Sequence, residues 1–459
     1  LAAVERVRKN QVDATASLDP VTPAWRRLVL ADGGFNAKLY ELCVFARLRE
    51  ALRAGEVWVD GSIRYRPLED RLMAPAVLAA ASTGPAAALQ NIDAATWLAG
   101  RRDRLDALLA EAERRAAADD LPEAAIRDGR LSVSPVRAST PDPVRALARR
   151  LYALLPRVRI TDLLEEVDGW TDMGACFSHL RTGHAPADRR GLYAAILADG
   201  LNLGLTRMAE ACENASFWQL ARLVDWHVRE ESYALATRTL TEAQARVPLA
   251  ELWGDGSTSS SDGQYFPAAG RARAATMANL RHGTEPGVSF YTHLSDQFAP
   301  FATRAIAAAA PEAPHVLDGI LQHRGRVPIR EHHTDTGGFT DHVFALCALL
   351  GYRFAPRIRD LPDKRLYVFD TSPAAPTLAP LIARHARAVT IAAHWPEIIR
   401  VAASIAAGHV SAAHAIATLG ATTRRTGLAA ALAEIGRIER TIFMLEWMLD
   451  PALRQRVQM

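Results

Sequence analysis

Lysine is nearly missing from this chain: Lys9, Lys38 and Lys364 are the only lysines among its 54 basic residues, and arginine supplies the rest. Arginine is the better phosphate clamp, because its planar fork engages two oxygens at once. A GC-rich coding sequence, which would also explain the abundant alanine, produces the same bias without any function. Cysteine is scarce as well. Cys43, Cys176, Cys212 and Cys347 are scattered with no Cys-x-x-Cys spacing; this argues against a disulfide framework or a zinc knuckle and for a reducing compartment. No apolar run is long and uninterrupted enough to span a bilayer, and nothing at the start resembles a signal peptide. Excess charge is missing too: the net value is +3, so any nucleic-acid surface must be a local patch.

What is present is ample apolar material, 49% of 459 residues, enough for several domains with real cores. The chain begins at Leu1 rather than Met and stops at Met459 without an obvious terminal element, so we read it as an interior piece of a longer reading frame. Four regions are expected: 1–143, a helical scaffold; 144–245, a second one; 246–370, a mixed core; and 371–459, a helical insertion with the start of a return to that core. Residues 139–143, Ser-Thr-Pro-Asp-Pro, punctuate the first boundary. In the first region Leu42–Leu52 and Arg101–Ala118 have helical spacing, and Val57–Ser62 reads as a short strand. Thr161 is expected to cap a helix over Asp162–Trp170.

From 246 the pattern changes. Strands are expected at Leu249–Gly254, after Gln264 and at Val288–His293. A helix opening at Pro311 follows, then an extended run Val327–His333, a helix ending at Gly351, and extended residues 352–359. Strand, strand, strand, helix, strand, helix, strand is the order of the ribonuclease-H-like fold, in which the first and fourth strands are neighbours. Beyond 370, helices are expected at Pro376–Ala388, Pro396–Ala407, Ser411–Leu419 and Leu428–Leu449, the last with Ile435, Ile438, Ile442, Leu445 and Leu449 as its core stripe.

Two aspartates carry the chemistry in this pattern. Asp262 lies in Trp253-Gly-Asp-Gly-Ser-Thr-Ser-Ser-Ser-Asp-Gly-Gln264, and Asp335 in Glu331-His-His-Thr-Asp-Thr-Gly-Gly-Phe-Thr-Asp-His342. One is expected just past the first strand and the other at the end of the fourth. Two carboxylates converging from separate strands can hold a pair of Mg²⁺ ions that stabilise the attacking and leaving oxygens of a phosphodiester exchange. Asp255 is the local rival to Asp262 and otherwise a turn residue. Asp335 could instead cap the next helix, and Asp341 reads as a surface or supporting carboxylate. His332, His333, Asp335 and His342 suggest a zinc hydrolase, but neighbouring strand residues point to opposite faces and no His-Glu-x-x-His spacing is present. Glu439 and Glu446 are expected to pair with Arg437 and Arg440.

Several blocks resemble the Tn3-family transposases: WVDGSIRY (58–65), ITDLLEEVDGW (160–170), LADGLNLGLTRMAEAC (197–212), WGDGSTSSSDGQYF (253–266), FYTHLSDQFAPF (290–301), the long run 332–368 and GRIERTIFMLEWMLD (436–450). They keep the family's order and cover most of the chain. The resemblance implies an α+β protein with a ribonuclease-H-like core, and a DDE enzyme that cleaves the 3′ ends of a transposon and joins them to target DNA in replicative transposition. It places the first two metal-binding acids at Asp262 and Asp335, with Mg²⁺ (or Mn²⁺ as substitute) as cofactor. The family's third acid, a Glu, follows the last long helix and is expected to lie outside this chain, as are the family's N-terminal DNA-binding modules. Double-stranded DNA (terminal inverted repeats and target) is the implied partner, bound by a homodimer in the bacterial cytoplasm, at the nucleoid. Arg353, Arg357, Arg359 and Arg365 are expected to contact phosphate, with Arg181 and Arg207 as further DNA contacts. The rival reading is a catalytically incomplete piece that binds DNA or self-associates without cutting it.

Overall fold

The computed structural model describes residues 2–30, 34–62, 65–134, 140–213, 215–267, 277–278, 286–307, 310–323, 327–421 and 427–458. It is a mixed α+β chain, mostly helical. Among the described residues no helix is long and apolar enough to cross a membrane. The chain forms two compact units. The first comprises Leu1–Ser134, Pro311–Leu321 and Thr334–Met459, and the second Pro135–Ala310 and Gln322–His333.

The second unit holds most of the largest sheet. Strands β1 (Thr258–Pro267), β2 (Pro286–Ser295) and β3 (Pro300–Ala307) form an antiparallel set, with Asp262 opposite Thr292 and Phe290 opposite Ala305. Strand β4 (Glu331–Thr334) lies on the other side of β1, so the spatial order is β3, β2, β1, β4. The expected first strand, Leu249–Gly254, is instead a 3-10 turn opened by Pro248, with Leu249 and Leu252 exposed. The serine run expected as a turn is the strand itself: Ser259 and Ser261 are buried on one face and their hydroxyls have partners there. Asp262 therefore sits within the first strand, not beyond its end. The strand expected after Gln264 is the continuation of β1 to Pro267, and residues 268–276 lie outside the described residues. Val288–His293 falls within β2.

Short helices make up the rest of this unit. Thr161 does not cap; Arg159 occupies that position without a side-chain bond, and the helix runs Ile160–Thr171. A true capping box forms at Ser216 and Gln219. Buried Asp168 accepts from the Gly174 backbone (2.6 Å) and the Tyr193 hydroxyl (2.5 Å) and faces Arg189 at 3.4 Å. That set of donors offsets the cost of a buried carboxylate and ties helix Ile160–Thr171 to helix Arg189–Gly200.

In the first unit, α1 (Ala94–Ala117), α2 (Asp341–Leu349), α3 (Gly427–Leu449) and α4 (Pro451–Gln458) build the core. Asp93 caps α1 by accepting from Thr96 N. Ile435, Ile438, Ile442 and Leu445 of α3 are buried, as the stripe predicts; each such side chain is worth about 1.5–3 kcal/mol on removal from water. Gly436 lets α2 approach, since a Cβ there would overlap the Asp341 carbonyl. Contacts span the ends of the chain: Met73 N donates to Ser404 Oγ (2.9 Å), Trp395 Nε1 to the Ile92 carbonyl (2.9 Å), and fully buried Arg454 to the Pro122, Trp447 and Met448 carbonyls. Two sequence expectations fail here. Val57–Ser62 turns at Ser62 N to Val59 O (3.0 Å) instead of forming a strand. Pro376–Ala388 is a 3-10 turn at Ala379–Leu381, interrupted by Pro380, followed by a strand Ile382–His385 that pairs in parallel with Leu366–Val368. Proline spacing and the β-branched Ile382 favour that outcome over a helix.

Candidate metal centre

In the second unit, strand alternation sorts the residues of β1. Ser259 and Ser261 face inward, while Ser260 and Asp262 face out. An Asp262 carboxylate oxygen accepts from the next backbone amide, Gly263 N, at 2.9 Å. On β4, His332 and Thr334 are buried and Glu331 and His333 take the other face, where His333 Nε2 lies 2.9 Å from Glu331 Oε1. His332 is fully buried, with Nδ1 2.7 Å from Ser259 Oγ and Nε2 2.8 Å from Ser261 Oγ. Ser261 Oγ is also 2.7 Å from the Tyr291 hydroxyl on β2, and the His332 ring stacks on His293 at 5.4 Å. Burial drives the His332 pKa well below its ordinary value, with His293 and His333 adding to the effect. The ring is therefore neutral, with one nitrogen donating and the other accepting. The zinc reading fails on this geometry: the two adjacent histidines serve opposite faces, and among the described residues no group of three potential ligands contains a histidine. Asp255 is a turn residue. It accepts from Ser257 N (2.8 Å), and the Ser257 side chain and backbone hold its carboxyl below the usual range.

In the first unit, Asp335 follows Thr334 directly. It does not cap α2, which starts at Asp341 with Thr340 in the capping position. Instead Asp335 Oδ1 accepts from Gly337 N (2.9 Å) and caps the 3-10 turn Thr336–Gly338. Gly338 is buried, and a Cβ there would overlap the Thr334 side chain. A carboxylate oxygen of Glu312 and one of Asp335 lie within 4.8 Å of each other, a separation that one cation can span. Glu312 was not read from the sequence. Its only signal was an acid following Pro311 at the start of an expected helix, which reads equally well as a partner for the helix dipole.

Three other acids of this unit, Asp341, Glu439 and Glu446, face arginines. Asp341 pairs with Arg440 and lies 3.4 Å from Arg437. Glu446 bridges Arg104 and Arg353, each at 2.7 Å. Glu439 sits 2.7 Å from Arg101 Nε, near enough for charge attraction but not aligned as a hydrogen bond. Burial pushes the Glu439 carboxyl up to about 7; Arg101 opposes the shift and Glu446 adds to it. The expected partners Arg437 and Arg440 instead serve Glu434 and Asp341, because the turn of α3 sends them to a different face.

The expected phosphate contacts divide. Arg353 is held by Glu446, and Arg365 donates to the Pro362 and Lys364 carbonyls. Arg357 Nε donates to the Val457 carbonyl at 3.2 Å, while Arg359 is exposed beside Asp360. These four belong to the first unit; Arg181 and Arg207, both exposed, belong to the second.

Residues 162–459 match the family described as the Tn3 transposase DDE domain. Over 456 residues the chain is 43% identical to the transposase for transposon Tn21 of Escherichia coli, covering 99% of this chain and 46% of that protein. It is 43% identical to the transposase for transposon Tn501 of Pseudomonas aeruginosa, covering 100% and 47%. A more distant relative, the transposase for transposon Tn1546 of Enterococcus faecium, is 34% identical over 100% of this chain and 47% of that protein. The chain thus spans about half the length of the curated relatives it matches. With the family match reaching well over half of its residues, the chain belongs to the Tn3-family transposases.

Proposed function

We propose that this chain carries the metal-dependent phosphoryl-transfer site of a DNA transposase, which cleaves 3′ ends at transposon inverted repeats and transfers them to a target strand. Asp262 and Asp335, the two acids that the likeness to the Tn3-family DDE domain points to, are the carboxylates that would hold the ions, with Glu312 beside Asp335 in the first unit. The observation that carries this reading is the acidic pair Glu312–Asp335, formed just past the strand that lies beside the Asp262 strand. An all-carboxylate donor set suits hard cations, so Mg²⁺, with Mn²⁺ as substitute, is the fitting cofactor. When bound, such ions activate a nucleophile and stabilise the departing 3′-oxygen. The chain's own part is to present oxygens from rigid strand positions and to hold phosphates with arginine, of which Arg359 is the best presented. The order β3, β2, β1, β4 supports a ribonuclease-H-like core, with Asp262 on the first strand and Asp335 ending the fourth. A dimer acting on two transposon ends at the nucleoid completes the proposal.

The test is Mg²⁺- or Mn²⁺-dependent nicking of a transposon-end duplex by the intact transposase. Asp262→Asn and Asp335→Asn are each expected to lower the rate at least a thousandfold while leaving duplex binding intact. Glu312→Gln measures what the acid beside Asp335 contributes, apart from the family's own third acid. Nicking that survives Asp335→Asn would overturn the site assignment.

A further inference from the structure

The buried polar cluster behind Asp262 has no role in the proposal above. Ser259, Ser261, Tyr291 and His332 come from three strands, and the histidine spans two of them. The two serines are two residues apart and share one face of β1, so they grip both nitrogens of one imidazole. This is a register lock. A slip of β1 by one residue turns every side chain to the other face and would bring Asp262 inward. A slip by two that puts Gly263 under the ring leaves one nitrogen without its serine in a buried setting, where an unmet polar group is unfavourable; in the opposite sense Ser257 and Ser259 would take the two places, and that shift is opposed by the bond from Gly256 N to Asp296 Oδ1 (2.9 Å), which it would break. The backbone ladder alone does not discriminate in this way. The amide of Arg330 bonds to the Ser257 carbonyl at 2.7 Å, which marks where β4 enters, but Ser-rich β1 has few bulky apolar residues to pin it.

Consequently, we propose that His332 is a positioning residue for the metal centre: through Ser259 and Ser261 it fixes the register in which Asp262 stands beside the strand leading to Asp335. The inference rests on the metal-site reading above. His332 lies on the sheet face opposite Asp262, so it acts on that carboxylate only through the strand; Asp262 follows Ser261 directly, and Asp335 lies three residues beyond His332 in the sequence. Any disturbance of the lock should therefore reach the carboxylates as weakened metal binding.

The experiment is equilibrium Mn²⁺ binding to the intact transposase, read by electron paramagnetic resonance, with the thermal midpoint measured alongside. Ser261→Ala and His332→Phe, which keeps a ring but loses both bonds, are expected to raise the Mn²⁺ dissociation constant tenfold or more. His332→Gln, whose amide reaches the Nε2 position and keeps the Ser261 bond, is expected to stay within threefold of wild type. Tyr291→Phe, which removes only the outer member, should bind Mn²⁺ normally. If His332→Phe does not fold, Ser261→Ala against His332→Gln decides. Folded Ser261→Ala protein with wild-type Mn²⁺ affinity and only a lowered thermal midpoint would reduce His332 to a packing role and overturn the proposal. Wild-type Mn²⁺ binding that survives Asp262→Asn and Asp335→Asn would instead sink the metal-site reading itself.

Discussion

Glu439 is a carboxyl that burial moves toward the neutral pH range. Its carboxyl is raised to about 7 from an ordinary value of 4.5. Between those values the folded protein keeps a proton that the unfolded chain has released. This contribution to stability is therefore complete below about pH 4.5 and is lost as pH rises through about 7. Glu439→Gln should remove the dependence. Its stability relative to wild type should rise by about 1–3 kcal/mol from pH 5 to pH 8, measured by urea unfolding across that range; a flat difference would refute the assignment. Residue-scale features were unevenly legible. Asp262 and Asp335 stood out because each sits in a long recognisable block. Glu312 did not, because proximity across separate chain segments leaves no trace in local spacing. The same limit explains Glu439 and Glu446, whose partners Arg101, Arg104 and Arg353 lie 338, 342 and 93 residues away while nearer arginines looked equally suitable.

At the scale of elements, the crossing of α2 and α3 depends on a single missing side chain. Gly436→Ala would force a methyl group into the backbone of Asp341. We expect a loss of about 1–3 kcal/mol, the usual result of overpacking, seen as a lower urea midpoint, whereas the same change at Gly420, which meets open space, should be neutral or stabilising. Long helices with a clear apolar stripe, such as α1 and α3, were readable from 3.6-residue spacing. The strands were harder. Leu249–Gly254 has apolar residues but no surface to cover them, and proline turned it into a 3-10 segment. β1 is held by hydroxyl-to-imidazole bonds, so it lacks the apolar alternation by which a half-buried strand announces itself. β3 went unread because alanine and a central arginine blur its two faces.

For the molecule as a whole, the near balance of 54 basic and 51 acidic side chains means that the DNA affinity proposed above would draw on a local set of exposed arginines. Arg359→Ala should lower the slope of log affinity against log salt by about 1, the mark of one lost phosphate contact. Arg353→Ala should leave that slope nearly unchanged, because Glu446 already occupies its guanidinium; titration of a transposon-end duplex at several salt concentrations distinguishes the two. The mixed α+β character of the two compact units was legible in the order of elements. Their interleaving was not, since hydropathy patterns report local faces and say nothing of which distant segments pack together.

That interleaving has a consequence for biosynthesis. Residues 73, 92 and 122 find their partners at 404, 395 and 454, so these parts of the leading third of the chain leave the ribosome roughly three hundred codons before the segments they bond to exist. The sheet-bearing unit, contained in a continuous stretch of sequence apart from one short excursion, can settle in the meantime. The early segment has to be kept from aggregating until those later helices are translated, which makes translation speed and chaperone supply, as much as equilibrium stability, determinants of how much folded protein a cell obtains.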